Sequence, residues 1–111
     1  METNKLKVIL NYNKLGKELQ EQVKLVYPEG FSEYLIYLKN AKGQEVTALR
    51  FETDEKIYML RMSTQIAFQI MEDDDDYDDN HNLKSRVKES YEKKHSDVEY
   101  LADNENYEEY N

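Results

Sequence analysis

The sequence predicts an α+β fold. Its elements run in the order β-α-β-β-β-α as a two-layer sandwich, with two helices on one face of a four-stranded mixed sheet, followed by an acidic, largely disordered tail. Three observations predict it: an alternating run that becomes fully apolar near the start, one helical stripe directly after it, and three closely spaced strand signals before a second helical stripe. The tail is predicted by composition, because residues 72–79 place seven carboxylates in eight positions.

Lys5-Leu6-Lys7-Val8-Ile9-Leu10 reads as a strand entering a sheet. Asn11 and Asn13 can each cap a helix, and Leu15, Leu19, Val23 and Val26 recur on one helical face while Lys17, Glu18, Glu21 and Lys24 fall largely on the other. Tyr27-Pro28-Glu29-Gly30 stops that helix, since the residue before proline leaves the α region and glycine accepts a left-handed turn. Strands are expected over 34–39, 45–53 and 56–62, with Asn40-Ala41-Lys42-Gly43 as a hairpin turn and Thr53-Asp54-Glu55 as the next one. Ser63 or Thr64 caps a second helix whose inward residues are expected to be Ile66, Ala67, Ile70 and Met71. This helix should fray within the acidic run, because carboxylates repel one another and are unfavourable at a helix C-terminus. Joining the first strand to a later one through a helix allows a parallel pair, hence a mixed sheet.

The 111-residue chain has a net charge of −9, and the charge is unevenly placed. Residues 1–71 carry 10 Lys/Arg against 9 Asp/Glu, the run carries only acid, and residues 80–111 carry 5 against 8. We therefore expect a small domain at 4–74 and an acidic, Tyr-containing tail at 75–111, disordered or transiently helical along the thin stripe Leu83, Val87, Tyr91, Val98 and Leu101. A domain of about 70 residues buries only a modest share of its surface, so self-association as a homodimer is a reasonable expectation. The absence of cysteine excludes disulfides, thiolate nucleophiles and Cys-ligated zinc. No apolar run reaches the length of a signal-peptide core or membrane span, so no membrane partner and a cytoplasmic location are expected.

Candidate sites are few. With Leu49, Phe51, Leu60 and Met62 turned toward the helices, the opposite sheet face is expected to be open and to show Tyr37, Val46, Ala48, Arg50, Ile57, Met59 and Arg61. Apolar residues flanked by arginines have the composition of a protein interface, and Tyr37, Arg50, Ile57, Met59 and Arg61 are the expected partner-binding set. The run Glu72, Asp73, Asp74, Asp75, Asp76, Asp78 and Asp79 offers a second surface, a lure for a basic protein or a mask folded over Arg50 and Arg61. Asp78, Asn80, Asn82 and Glu89 fit positions 1, 3, 5 and 12 of a calcium loop, but Leu83 stands where the turn needs glycine. His81 and His95 lie in polar sequence at no metal-ligand spacing and are expected to be solvated. No phosphate loop, catalytic constellation, cofactor signature or metal motif is present in the sequence.

The order β-α-β-β-β-α over residues 5 to about 75 resembles the ribosome hibernation-promoting factors, and its last five elements resemble double-stranded RNA-binding domains. That likeness implies RNA binding through helix-borne cations. Here the second helix opens Ser63-Thr64-Gln65 and closes in acid, so direct nucleic-acid binding by the helices is not expected. Asn11-Tyr12-Asn13, Val26-Tyr27-Pro28-Glu29-Gly30-Phe31 and Asn40-Ala41-Lys42-Gly43 are similar to segments of short bacterial proteins that end in acidic runs, a resemblance that implies no activity. The reading is a noncatalytic module that binds a protein partner through the open sheet face, the tail, or both. Its competitors are an acidic decoy for a basic nucleic-acid-binding protein and an RNA or ribosome binder using the sheet.

Overall fold

The computed structural model describes residues 5–101. Strand β1 (Leu6–Asn11) is followed by a 3-10 turn (Tyr12–Lys14) and helix α1 (Lys17–Val26), and a second 3-10 turn (Ser32–Tyr34) leads into β2 (Ile36–Lys39). Then come β3 (Glu45–Glu52), β4 (Lys56–Arg61), α2 (Thr64–Asp73) and α3 (Ser85–Lys94). The sheet order is β1-β4-β3-β2, with β1 parallel to β4 and the other pairs antiparallel. The architecture is thus the predicted α+β one with a four-stranded mixed sheet, extended by a third helix.

Local chemistry accounts for most boundaries. The Ser63 side chain accepts the Ile66 amide at 3.1 Å and caps α2, which ends at Asp73 inside the acidic run. Neither Asn11 nor Asn13 caps α1, whose N-cap is Gly16. Instead Gln20 Nε2 reaches back to the carbonyls of Tyr12 and Leu15 at 3.1 and 3.0 Å, fastening the 3-10 turn to the helix. Gly30 sits at φ +99°, a left-handed conformation that L side chains rarely adopt, so the position needs glycine for its backbone.

The core lies between the sheet and the helices. Leu49, Phe51 and Leu60 from the sheet are fully buried together with Val23, Phe31 and Ala67, as the strand phase predicts. Phe31 is the hub of the ring contacts, meeting Tyr12, Tyr27 and Tyr77 edge-on at centroid distances of 5.4, 6.2 and 6.2 Å. Ile66 departs from expectation at 51% exposed; of the other expected inward residues of α2, Ala67 and Met71 are buried and Ile70 is partly buried against the core.

The boundary at 74 is corrected. Tyr77, Leu83 and Leu101 belong to the core, and Val87, Tyr91 and Val98 pack against it, so the stripe expected to be at most transiently helical is folded onto the rest of the structure. Residues 102–111 of the expected tail lie outside the described residues. Residues 76–84 are laced to the turn after α1 by the backbone bond from Leu83 N to Pro28 O and by the Tyr77 hydroxyl donating to Tyr27 O at 3.0 Å, while a bond from Lys84 N to Asp76 O closes the segment on itself. Such bonds need a fixed geometry that a solvated tail lacks.

Electrostatics completes the attachment. The Lys24 ammonium, on a buried side of α1, is 2.7 Å from both Asp74 Oδ2 and Asp76 Oδ2, and the Tyr91 hydroxyl donates to Asp76 Oδ2 at 2.6 Å. Burial alone would raise the Asp76 pKa; hydrogen bonds from Lys24 and Tyr91 outweigh it and hold the carboxyl below the usual aspartate value. Beside this network the Tyr12 hydroxyl is buried and has no hydrogen-bond partner among the described residues. Tyr12→Phe is therefore expected to stabilise the protein by about 1 kcal/mol in urea denaturation, since it removes a desolvated donor and keeps the ring contact with Phe31. Loss of stability in this variant would show that the hydroxyl is satisfied.

Candidate interaction surface and the crevice beside it

The sheet face turned away from the helices is uncovered among the described residues. Its composition follows from register, because cross-strand partners point to one side. Ile9 pairs with Met59 and Met59 with Arg50; Asn11 pairs with Arg61, Arg61 with Ala48 and Ala48 with Ile36; Leu38 pairs with Val46. Ile9 and Ile36 are each 39% exposed, large apolar side chains facing away from the core.

Four of the five expected partner-binding residues share this face, and one does not. Tyr37 pairs with Thr47, whose parity is that of Leu49 and Phe51, so it belongs to the helix-side face at the sheet edge, where it is 79% exposed. Asn40 to Gln44 form the five-residue loop between the expected strand ends Lys39 and Glu45, with Asn40 Oδ1 accepting the Lys42 and Gln44 amides. Carried across that loop, the register sets Tyr37 opposite Thr47, which the strand alternation already turns toward the helices; placing Tyr37 on the outer face left this cross-strand register out of account. Ile57 shares the outer face but is only 8% exposed, so it supports the surface without offering a contact. Ile36, Leu38 and Ile9 were missed; they carry no signal beyond strand alternation until the register is known.

The charged residues of this face are organised. Glu52 receives Lys5 and Arg50, the latter at 2.7 Å. The hydrogen bond from Lys5 is the foremost reason its carboxyl lies below the usual glutamate range, with Arg50 adding to it. Lys7 and Arg61 share the face, so cations outnumber carboxylates here on a chain whose net charge is −9.

The acidic run does not mask this surface. Glu72 and Asp73 end α2, while Asp74 and Asp76 are tied to Lys24 of α1 on the helix side. Asp78 accepts the Asn80 and Asn82 amides at 2.9 and 3.0 Å, closing a turn. Asp75 and Asp79 continue the same connection to α3, away from Arg50.

The histidines are also corrected. His81 Nε2 lies 2.8 Å from Glu72 Oε2, and His95 is 5% exposed with Nε2 2.9 Å from the buried Glu21 carboxylate. Gln22 Nε2 lies 3.4 Å from His95 Nδ1, and the Gln22 side-chain oxygen accepts the Tyr100 hydroxyl. Burial would raise the Glu21 carboxyl, but bonds from His95 and Lys94 bring it below its ordinary value. Glu18, Glu21 and His95 bring three ligand-type atoms within 4.8 Å of one another, the one such group among the described residues. Lys94 Nζ stands 3.0 Å from Glu21 and 3.6 Å from Glu18, so a cation already offsets one of the two charges and the group clamps α3 to α1.

A crevice of about 370 Å³ opens where β1 and β4 end side by side, lined by Asn11, Tyr12 and Asn13 as the chain leaves β1 and by Arg61, Met62, Ile66 and Ile70 as it leaves β4. A shallower hollow of about 330 Å³ shares Arg61 and Met62 and extends toward Tyr37 and Thr47. Two chains leaving adjacent parallel strands in different directions create such a gap, which is why open α/β sheets bind ligands at their carboxyl ends. Among the described residues no helix is long and apolar enough to cross a membrane. No protein-family model matches the chain, and the searches of curated proteins and of solved structures found no match to it.

Proposed function

We propose that the protein is a noncatalytic interaction module that binds a protein partner through its open sheet face. One observation carries this reading: a sheet face with no covering layer among the described residues, bearing Ile9, Ile36, Leu38, Val46 and Met59 beside Arg50 and Arg61. Aliphatic, Met and Arg side chains in this mixture match interface cores. Four strands spaced about 4.8 Å apart give a face of only a few hundred Å², near half of one side of a standard interface, so the partner also uses the rim at Arg61.

Charge favours a particular partner. Lys5, Lys7, Arg50 and Arg61 against Glu52 call for an apolar surface bordered by carboxylates. A second copy of the same face would set these cations against one another, which argues against a symmetric homodimer through it. The acidic-decoy reading loses Asp74 and Asp76, which serve the interior.

The test is capture from lysate by the full chain at moderate salt, compared with Met59→Asp and Ile36→Asp after each variant is shown to keep its circular dichroism and urea midpoint. The reading expects one polypeptide retained by the parent chain and at least tenfold less by each variant. Capture indifferent to both substitutions would end it, and retention that disappears with ribonuclease would move the function to RNA.

A further inference from the structure

We propose that the crevice at the ends of β1 and β4 is a binding site for a small apolar carboxylate. The inference stands apart from the sheet-face reading, sharing only Asn11 and Arg61 with it. The lining separates into two chemistries. Met62, Ile66, Ile70 and Tyr12 give an apolar floor and wall, and Asn11, Asn13 and Arg61 form a polar lip. A volume of about 370 Å³ falls at the lower end of the range of small-molecule sites, which are mostly apolar with a few placed polar groups.

Ile66 supplies an independent indication. It sits on α2 at 51% exposure, although its spacing with Ile70 marks it for burial, and the space it faces is the crevice. No acidic side chain lines the crevice, so a cationic ligand has no counter-charge there, whereas Arg61 is exposed at its edge. Arg61 Nε donates to Asn11 Oδ1 at 3.3 Å, its single described hydrogen bond. That bond steadies the guanidinium while leaving its terminal nitrogens to receive an anion. A planar fork of donors suits the two oxygens of a carboxylate, and one cation balances one negative charge. A phosphate monoester brings more charge than this lip can neutralise, and a neutral hydrocarbon leaves Arg61 unused.

The volume of the site limits the ligand to a ring or a short branched chain against the apolar lining, with its acid group toward Arg61. The neighbouring hollow over Met62, toward Thr47, admits a longer chain without rearrangement of the sheet. The ligand would bridge the two segments that leave the parallel pair, and so fix the start of α2 against β1.

The experiment is a titration of the full chain with 4-phenylbutyrate, followed by methyl NMR, beside the isosteric alcohol 4-phenylbutan-1-ol and a short peptide ending in Leu-Phe with a free carboxylate. Saturable shifts are expected at Met62, Ile66 and Ile70, with the alcohol at least tenfold weaker. Arg61→Gln should bring acid and alcohol to the same affinity, and Ile66→Asp, at an exposed position the fold tolerates, should abolish both. Equal binding of acid and alcohol by the parent chain, or no saturable shift at these methyls, overturns the proposal. Peptide binding tenfold tighter than the acid also overturns it, by assigning the crevice to polypeptide C-termini. Because no partner takes part, these outcomes are independent of the capture experiment.

Discussion

A chain that ends at Asp74 is expected to lose its cooperative fold, whereas the full chain unfolds in one transition. The cut removes the buried Tyr77, Leu83 and Leu101 and the half-buried Val87, Tyr91 and Val98 from the core. Fully burying one large apolar side chain contributes roughly 1.5 to 3 kcal/mol, so the three buried residues alone represent on the order of 5 to 9 kcal/mol. That matches the whole stability of an ordinary domain, about 5 to 15 kcal/mol. The cut also strips Asp76 from Lys24 and the Tyr77 ring from Phe31. Near-ultraviolet circular dichroism and amide dispersion of the 1–74 chain provide the check. A sharp urea transition in that fragment would show that the C-terminal third is an accessory. In the full chain, Tyr77→Ala should cost about 3 to 5 kcal/mol, the range for deleting a large buried ring.

This result also measures what the sequence discloses. The apolar alternation of β1, the Pro28-Gly30 stop, the Ser63 cap and the inward phase of Leu49, Phe51 and Leu60 are each set by local rules, and all are found. The folded state of residues 75–101 rests on complementarity between two stretches that are ambiguous alone. Helix α1 is buried on more than one side: besides its apolar stripe, Glu21, Gln22 and Lys24 are at most 8% exposed because α3 and the Asp74–Asp76 connection cover them. Read singly, those polar residues mark a solvated face and the run of aspartates marks a solvated tail. Paired across more than 50 residues of chain, they neutralise and bury each other. One available hint was Leu25, an apolar residue off the main stripe of α1, matched by the thin stripe from Leu83 to Leu101. The open sheet face was legible as a surface, but the side taken by Tyr37 depended on its cross-strand partner Thr47, which alternation within one strand does not show.

Alkaline pH is expected to unfold the protein steeply, and the tyrosines determine where. Burial, first, and then neighbouring negative charge push the Tyr12 and Tyr77 hydroxyls far above their ordinary value; Tyr91 and Tyr100 are raised as well, foremost by burial. A group with a raised folded pKa contributes stability that is complete below the unfolded value, near 10 for tyrosine, and declines as pH rises toward the folded one. Each such proton costs about 1.4 kcal/mol per pH unit, so Tyr12 and Tyr77 together remove roughly 3 kcal/mol per unit above about pH 10. Lys24 acts in the same direction. Burial would lower its pKa, but bonds from Asp74 and Asp76 raise it, and the stability it gives is likewise lost at high pH. The acid side has its own limit. Glu21, Glu52 and Asp76 are depressed, so their contribution is present above the ordinary carboxylate range and is lost as pH falls through it. Urea midpoints should therefore form a plateau from about pH 5 to 9 and fall on both sides, more steeply on the alkaline one. Tyrosinate absorbance, followed in parallel with far-ultraviolet circular dichroism, separates titration from unfolding: Tyr12 and Tyr77 are expected to ionise only as the fold is lost. Tyr12→Phe should reduce the alkaline slope by about 1.4 kcal/mol per unit while raising the plateau. If all ten tyrosines titrate near pH 10 with the dichroism intact, the phenols of Tyr12 and Tyr77 are not sealed in the core, and the packing of residues 75–101 against α1 is wrong.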